Sequence, residues 1–317
     1  MIIFFDIFIM IIFTYNNFYY NSIVMNFIDC FMYFDEDTIL DIRLNILDKY
    51  VSFFIICEAN FNHNGTEREL RFNINNFPKF RDKIIYIPLE KQPENLRSIS
   101  KEDSLIVKNS KILDNALLRE NFQRNFLQSK INDFNEDDLI IVSDLDEIPN
   151  LSKFKYKSKI TFFEQKMYYY KLNLVHPNFN WYGSKICKKK HLKNPQWLRN
   201  IKAKKYPFWR LDILFSSTKY NDLNFIKDGG WHFTNIKSPE KIDFKMKNFL
   251  HHLEYEESGL GIEEVKKIVK EKKVFYDHSA DKTKEKWGGG VSLIKENENL
   301  LPDYVKLNKD KFKEWLD

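Results

Sequence analysis

The hydrophobic positions at the start of the chain form two buried runs with an amphipathic segment between them. Phe27 to Phe34 and Val51 to Cys57 are almost wholly apolar, which is typical of strands that are covered on both faces. Between the runs, apolar residues recur at helical spacing up to Leu47, after the acidic triplet 35–37, which can cap a helix. The pattern predicts a strand, a helix and a second strand in this order.

The same alternation continues up to Pro149. Ile84 to Ile87 and Leu139 to Val142 repeat the strand pattern, and the spacing over Asp114 to Ile131 predicts a helix. Strands joined through helices form parallel sheets with right-handed crossovers. We therefore predict an α/β layer, an open and mostly parallel central sheet flanked by helices, from about Phe27 to Pro149.

The second half of the chain has a different pattern of apolar and polar residues, but it contains no linker or internal repeat. Thr161 to Leu172 is β-rich and aromatic, and helical spacing recurs over Pro239 to Tyr255, Ile262 to Lys273 and Asp303 to Leu316. We expect residues 25–317 to form one domain whose halves, 25–150 and 151–317, pack against each other.

Residues 1–24 are treated separately. Ile2 to Phe13 is apolar apart from Asp6, but it is shorter than the roughly 20 residues that span a bilayer. No Lys or Arg precedes Arg43, whereas a secretory signal has a basic start. We interpret this segment as an upstream extension, such as a mis-assigned start, with a weak membrane anchor as the alternative.

Composition changes this picture in two respects. With 43% hydrophobic and 30% charged residues the chain is of the soluble globular class, and three scattered cysteines without a CxxC pair fit a reducing compartment. We therefore expect a cytoplasmic protein, at most peripherally associated with the inner face of a membrane. Gln165 to Leu211 contains many basic residues and no acidic one, which predicts either an anion-binding surface or a solvated loop.

An acidic cluster directly follows the strand Leu139 to Val142. In open α/β sheets, ligands bind beyond the carboxyl ends of the strands. Asp144 and Asp146 are two residues apart, so in an extended segment both can reach one hard cation. The Asp144-Leu145-Asp146-Glu147 cluster therefore predicts a site for Mg²⁺ or Mn²⁺ that holds a diphosphate, and an acidic turn is the alternative.

His232 is a second candidate. It follows Gly229 and Gly230, which allow close backbone approach, and Trp231 and Phe233 offer rings to a sugar face. Isolated histidines are more often structural than ligands.

Several stretches together resemble glycosyltransferase family 17. They are IDCFMYF at 28–34, DIRLNIL at 41–47, EANF at 58–61, ENFQRN at 120–125, VSDLDEIP at 142–149, GWHF at 230–233 and LPDY at 301–304. The resemblance extends from about Met25 to Trp315.

This resemblance implies a GT-A-like fold with a nucleotide and metal half followed by an acceptor-side half. It implies transfer of a sugar with inversion, with UDP-GlcNAc as the expected donor and a glycan or glycoconjugate hydroxyl as the acceptor, in the presence of Mn²⁺ or Mg²⁺. Asp144 and Asp146 correspond to the metal and diphosphate site, and His232 to a late third ligand or an active-site residue. Glu58 and Asn60 would lie near the nucleotide, with a structural salt bridge as the alternative for Glu58. Arg124 would bind the diphosphate or, equally, pair with the acidic cluster.

Inversion by single displacement needs a base opposite the diphosphate, and our candidates are Asp228, Asp212 and Glu147, in that order. Two other classes compete. A nucleotidyltransferase would carry a Gly-rich loop after the first strand, where this chain has an acidic triplet. A non-catalytic binder of glycan or nucleic acid would use the basic stretch without a metal. We favour the enzyme, with no nucleic-acid partner.

Overall fold

The computed structural model describes residues 25–207, 209–276, 286–287 and 290–317. Its strands and helices follow the alternation of buried and exposed positions along the chain. The strands are β1 Phe27–Tyr33, β2 Phe53–Ala59, β3 Ile84–Leu89, β4 Leu139–Val142, β5 Glu147–Pro149, β6 Ile160–Phe163, β7 Gln165–Tyr169, β8 Leu174–Trp181, β9 Lys185–Lys188, β10 Leu223–Ile226, β11 Gly230–Thr234 and β12 Ile294–Lys295. The α-helices are α1 Asp37–Leu47, α2 Leu105–Phe126, α3 Gln128–Ile131, α4 Pro195–Asn200, α5 Pro239–Asn248, α6 His252–Glu257, α7 Ile262–Lys270 and α8 Asp303–Leu307. Short 3-10 turns lie at Ile74–Asn76, Pro78–Phe80, Leu151–Lys153, Lys189–His191, Leu211–Ile213, Glu298–Leu300 and Lys313–Trp315.

The larger sheet has seven strands in the order β10-β6-β9-β4-β1-β2-β3. Strands β4, β1, β2 and β3 are parallel, as the alternation in the first half predicts. Strand β9 is antiparallel to both β4 and β6, so the sheet is mixed. The predicted α/β architecture is confirmed. Strands β6 and β10 are parallel to each other and run in the same direction as β4, so β9 is the single antiparallel strand among the seven of this sheet.

The smaller sheet, in the order β12-β8-β7-β11-β5, was not predicted. The β-rich segment from Thr161 to Leu172 contains two strands, β6 and β7, separated only by Glu164 and placed in different sheets. Strand β11 pairs in parallel with β7 and antiparallel with β5, which follows the acidic cluster directly. This pairing brings the Gly-Trp-His-Phe motif beside that cluster.

Three helix predictions needed correction. Helix α2 begins at Leu105 rather than at Asp114, because the Ser104 hydroxyl accepts a hydrogen bond from the backbone N–H of Val107 and caps an earlier turn. The predicted helix from Pro239 to Tyr255 is divided into α5 and α6. Only α8 forms in the segment from Asp303 to Leu316.

The predicted extension, residues 1–24, lies outside the described residues. Of the helices that are described, none is both long and apolar enough to cross a membrane. Cys30, Cys57 and Cys187 are buried and unpaired, and they pack in a common hydrophobic cluster.

Candidate active site

A cavity of about 230 Å³ lies at the carboxyl ends of β1, β2 and β4. In open α/β sheets this edge is the ordinary place for a ligand. Strand β1 contributes Tyr33 and the following Phe34, the segment after β2 contributes Phe61, Asn62 and His63, and the turn after β4 contributes the acidic cluster. A shallower groove of about 430 Å³ shares the walls formed by Glu120 and Trp181.

Arg43 fixes the turn that carries the acidic cluster. It lies on the buried face of α1, and its guanidinium forms a two-point contact with Asp29 of β1, Nε to Oδ2 at 2.8 Å and Nη2 to Oδ1 at 2.6 Å. The same guanidinium donates to the backbone carbonyls of Asp144, Leu145 and Glu147 at 2.8–3.1 Å. The turn is therefore held in one conformation by a fully buried ion pair.

Asp144 is paired with two arginines. Its Oδ1 accepts from Arg124 at 3.1 Å and its Oδ2 accepts from Arg199 at 2.7 Å. Burial would raise the pKa of Asp144, but Arg199 and Arg124 outweigh that effect and hold it well below its usual range. Arg124 thus pairs with the acidic cluster, which is one of its two predicted roles. Its guanidinium also contacts Glu120 and Gln196.

Glu147 is buried and fully engaged. Arg199 donates to both of its carboxylate oxygens at 2.7 Å, Trp181 Nε1 donates to Oε1 at 2.5 Å, and the backbone N–H of Asp144 donates to Oε2. A Cβ at Gly183 would lie 2.1 Å from this carboxylate, so glycine leaves the space that Glu147 occupies. These contacts occupy both carboxylate oxygens of Glu147 and leave it poorly placed to remove a proton.

Asp146 lies on the cavity wall without a guanidinium partner. Its Oδ1 is 3.5 Å from Nε2 of His232, and its backbone carbonyl accepts from the N–H of Phe233 at 2.8 Å. Gly230, at φ +138°, lets β11 approach this closely, because a Cβ there would lie 2.1 Å from the carbonyl oxygen of Ile148. The expectation that a glycine allows close backbone approach here is confirmed.

The predicted metal ligands Asp144, Asp146 and His232 therefore line the same cavity, but they are not arranged as a site of three ligands. No group of three or more His, Cys, Asp or Glu side chains in the described part of the chain is arranged to hold a metal ion. Asp146 and His232 fit a smaller ligand set, because Mg²⁺-like sites commonly use one or two carboxylates and complete the shell with substrate phosphates and water. Charge also favours a cation, since four carboxylates (Asp144, Asp146, Glu147 and Glu120) face two guanidinium groups and one ammonium, that of Lys245, which also pairs with Glu36.

Unpaired polar atoms collect around the same cavity. Asn62 Oδ1, Nδ1 of His63 and Nδ1 of His232 are buried and have no hydrogen-bond partner among the residues that the structure describes. The Gln123 amide donates to the Cys57 carbonyl, so its oxygen faces Nε2 of His63 at 3.4 Å and leaves Nδ1 as an acceptor. Burial lowers the pKa of His63, which keeps the ring neutral. Each unmet acceptor costs free energy that a ligand with N–H or O–H donors would recover.

Other predicted residues lie away from the cavity lining. Glu58 is fully buried and accepts from Arg68, from the N–H groups of Arg71 and Phe72, and from Tyr86, so the salt-bridge alternative describes it. Asn60 follows β2 but does not line the cavity. The contacts of Glu58 fix the segment after β2.

The two leading candidates for the base also lie elsewhere. Asp228 is mostly exposed, 3.6 Å from Lys153, and lines a different cavity. Asp212 lies in the 3-10 turn Leu211–Ile213, where Arg210 and Lys219 contact its carboxylate. Of the three predicted base residues, only Glu147 lines the candidate site.

Sequence reasoning missed the cations that organise the site. Arg199 was counted in a basic stretch, yet Asn194 and Pro195 begin the helix α4 that directs it inward. The pairing of Arg43 with Asp29 could have been predicted from the sequence, because a charged residue within an apolar strand or on an apolar helix face needs a buried partner.

Comparisons with known proteins agree with this geometry. The model of glycosyltransferase family 17 matches residues 16–313. The chain is similar to the β-1,4-mannosyl-glycoprotein 4-β-N-acetylglucosaminyltransferases of Homo sapiens, at 30% identity over 122 residues, and Mus musculus, at 29%. These matches cover 36% of this chain and 20% of each relative.

The family match and the cavity at the strand ends define a protein of the glycosyltransferase class. The chain belongs to glycosyltransferase family 17.

Proposed function

We propose that this protein transfers a sugar, GlcNAc from UDP-GlcNAc, to a carbohydrate hydroxyl with inversion. The observation that carries the proposal is the Asp146–His232 pair on the wall of a cavity at the carboxyl ends of β1, β2 and β4. The names of the similar proteins support the choice of donor. A glycan is the acceptor class that follows from the same comparison.

In this proposal Asp146 and His232 hold a divalent cation, either Mn²⁺ or Mg²⁺. A nitrogen ligand favours Mn²⁺ over Mg²⁺. The cation would neutralise the charge that develops on the leaving diphosphate. The excess of carboxylates over guanidinium groups at the site supports this role.

The arginines position the remaining acidic side chains. Arg199 holds both Asp144 and Glu147, and Arg124 holds Asp144 and Glu120. Fixed charges of this kind stabilise a transition state better than mobile ones, because they need no reorganisation during the reaction. Both guanidinium groups border the groove next to the cavity. A donor too large for the 230 Å³ cavity can extend into this groove.

The acceptor hydroxyl must lose its proton during a single displacement. Both carboxylate oxygens of Glu147 accept hydrogen bonds from Arg199, and Trp181 donates to one of them. Nδ1 of His63 and the Asp146 carboxylate are cavity groups with lone pairs that no described guanidinium contacts. We assign Asp146 to the cation, which leaves His63 as the proton acceptor within this proposal.

The test is release of nucleotide diphosphate from a panel of UDP- and GDP-sugars, with an acceptor glycan and Mn²⁺. We expect turnover with UDP-GlcNAc, its loss in EDTA and its recovery with Mn²⁺. The substitution Asp146→Asn should reduce turnover by about 100-fold or more. Folding should be unchanged, because the Asp146 carboxylate has no guanidinium partner.

Asp133→Asn is the matched control, since Asp133 is an exposed aspartate that pairs with Lys130 at the surface. It should turn over like the wild type. Full activity of Asp146→Asn, or full activity in EDTA, would contradict the metal role. Absence of turnover with every donor would instead favour a non-catalytic binder.

A further inference from the structure

A second cavity lies on the opposite face of the smaller sheet. Its volume is about 570 Å³, within the 300–1,000 Å³ range of small-molecule sites. Successive residues of a strand point to opposite faces, so on β11 His232 lines the candidate active site and Trp231 lines this second cavity. Lys166 and Tyr168, two residues apart on β7, share the second face.

Tyr168 gives this cavity an unmet hydrogen-bonding group. Its side chain is fully buried, and no group in the described part of the chain forms a hydrogen bond with its hydroxyl. Its ring packs against Phe233 at a centroid distance of 5.2 Å, which fixes its position. Burial raises the pKa of Tyr168, so the group is a neutral phenol that can both donate and accept. A buried hydroxyl without a partner is unfavourable, so a ligand that pairs with it is stabilised.

Trp231 supplies a flat apolar surface beside this hydroxyl. Its indole N–H donates to the Leu300 carbonyl at 2.9 Å, which anchors one edge of the ring in the wall. A fixed aromatic ring next to polar groups suits the apolar face of a sugar ring.

Asp228 adds an acceptor at the rim of the same cavity. It adopts a left-handed backbone conformation at φ 45°, which is uncommon for a residue other than glycine and recurs at ligand sites. A carboxylate can accept hydrogen bonds from two neighbouring hydroxyls. Asp228 therefore has a place in this cavity, although it does not reach the candidate active site.

The charges of the lining favour a neutral ligand over an anion. Lys153 pairs with Asp228 at 3.6 Å, Lys166 with Glu296 at 2.5 Å, and Lys306 with Asp303 at 2.7 Å. An incoming phosphate would have to displace these carboxylate partners. The fourth lysine of the lining, Lys49, lies over the ring of Tyr50 at 4.9 Å from its centroid.

We infer that the second cavity binds a neutral saccharide through Tyr168, Trp231 and Asp228, independently of the transfer reaction. A glycan bound there would be held by this chain at a position separate from the candidate active site. The inference does not rest on the proposed function, because it concerns binding alone.

The test is calorimetric titration of the full chain, without any nucleotide sugar, with N,N′-diacetylchitobiose, cellobiose and mannobiose. Inorganic phosphate serves as the anionic probe. We expect at least one disaccharide to bind with one-to-one stoichiometry and phosphate not to displace it. The substitution Tyr168→Phe should weaken binding by at least about tenfold and leave the circular dichroism spectrum unchanged.

Tyr169→Phe is the matched control, because the next side chain on β7 points to the opposite face and should leave affinity unchanged. His232→Ala, in the candidate active site, should also retain saccharide affinity, so failure of the transferase proposal can be distinguished from failure of this one. Absence of binding by all three disaccharides, displacement by phosphate, or wild-type affinity in Tyr168→Phe would overturn the inference.

Discussion

At the scale of single residues, the position of the acidic cluster depends on Arg43. Its guanidinium neutralises Asp29 and binds three carbonyls of the turn that carries Asp144 and Asp146. Both members of the ion pair are fully buried. Removing one partner of such a pair leaves a buried charge without compensation.

We therefore expect Arg43→Met to lower the free energy of unfolding by about 3–5 kcal/mol, as measured by urea denaturation. Turnover should fall in parallel, because the turn loses its three side-chain hydrogen bonds. Arg210→Met is the control, since Arg210 forms an exposed pair with Asp212, and it should leave the midpoint unchanged. Equal midpoints for the two variants would show that Arg43 does not organise the turn.

Individual residues of the site were predictable only in part. The acidic cluster was found because a short apolar run ends immediately before Asp144. The partners of Asp144 were not, because Arg199 is 55 positions away and the sequence does not reveal which basic residue turns inward. Asp228 was proposed because it lies in the aromatic second half, where an acceptor is expected, but the structure places it in the lining of the second cavity.

At the scale of elements, the strands before Pro149 were predictable because strands buried on both faces are continuous apolar runs. The second sheet was not, since the change of sheet between β6 and β7 occurs at the single residue Glu164. The basic stretch is a further example. Lys188 and Lys190 pair with Asp137, and Arg199 pairs with Glu147, so much of this stretch provides counter-charges within the molecule.

Lys185 links two of these elements. Its ammonium, on β9, donates to the carbonyls of Arg199 and Ile201 at the end of α4. Burial, together with the nearby Arg199, lowers the pKa of Lys185 from its usual 10.5 to about 7. Above about pH 7 the folded chain therefore holds Lys185 neutral, whereas the unfolded chain keeps the proton up to the ordinary pKa.

The unfolded state thus binds more protons between about pH 7 and 10.5, and the contribution of Lys185 to stability rises with pH in this window. We expect the free energy of unfolding of the wild type, relative to Lys185→Met, to increase by up to about 1.4 kcal/mol per pH unit from pH 7.5 to 9.5. Urea denaturation at a series of pH values measures this difference. Parallel curves for the two proteins would contradict it.

At the scale of the whole molecule, the smaller sheet separates two cavities. Glu147 and His232 face one of them, and Trp231 and Tyr168 face the other. The fold class could be predicted from the sequence, but this division could not, because it depends on the pairing of β11 with β5 and β7. Long-range pairing of this kind has no local sequence signal.

An exposed apolar segment, here called the tip, contains Trp209, Leu211, Leu214 and Phe215, each of which is at least 68% exposed. Phe215 is 90% exposed and Leu214 is 77% exposed. Three cations, Lys204, Arg210 and Lys219, surround the ring of Tyr206 beside this tip, each within 6.0 Å of the ring centroid. Asp212 contacts both Arg210 and Lys219, so the three cations and this one carboxylate leave an excess of positive charge. Apolar side chains next to basic ones are typical of surfaces that bind anionic lipid headgroups.

We therefore expect the full chain to sediment with vesicles that contain phosphatidylglycerol and to be released at high salt, because the cations account for much of the attraction. Replacing Leu214 and Phe215 together by serine should reduce the vesicle partition coefficient by about 100-fold, since each buried apolar side chain contributes about 1.5–3 kcal/mol. Leu307→Ser is the matched control, because Leu307 is 83% exposed but lies on α8, outside the tip. Equal sedimentation with pure phosphatidylcholine, or an equal loss of binding in Leu307→Ser, would rule out the tip as a membrane contact. In that case the exposed apolar side chains would be assigned to a protein partner, and peripheral membrane association would lose its structural basis.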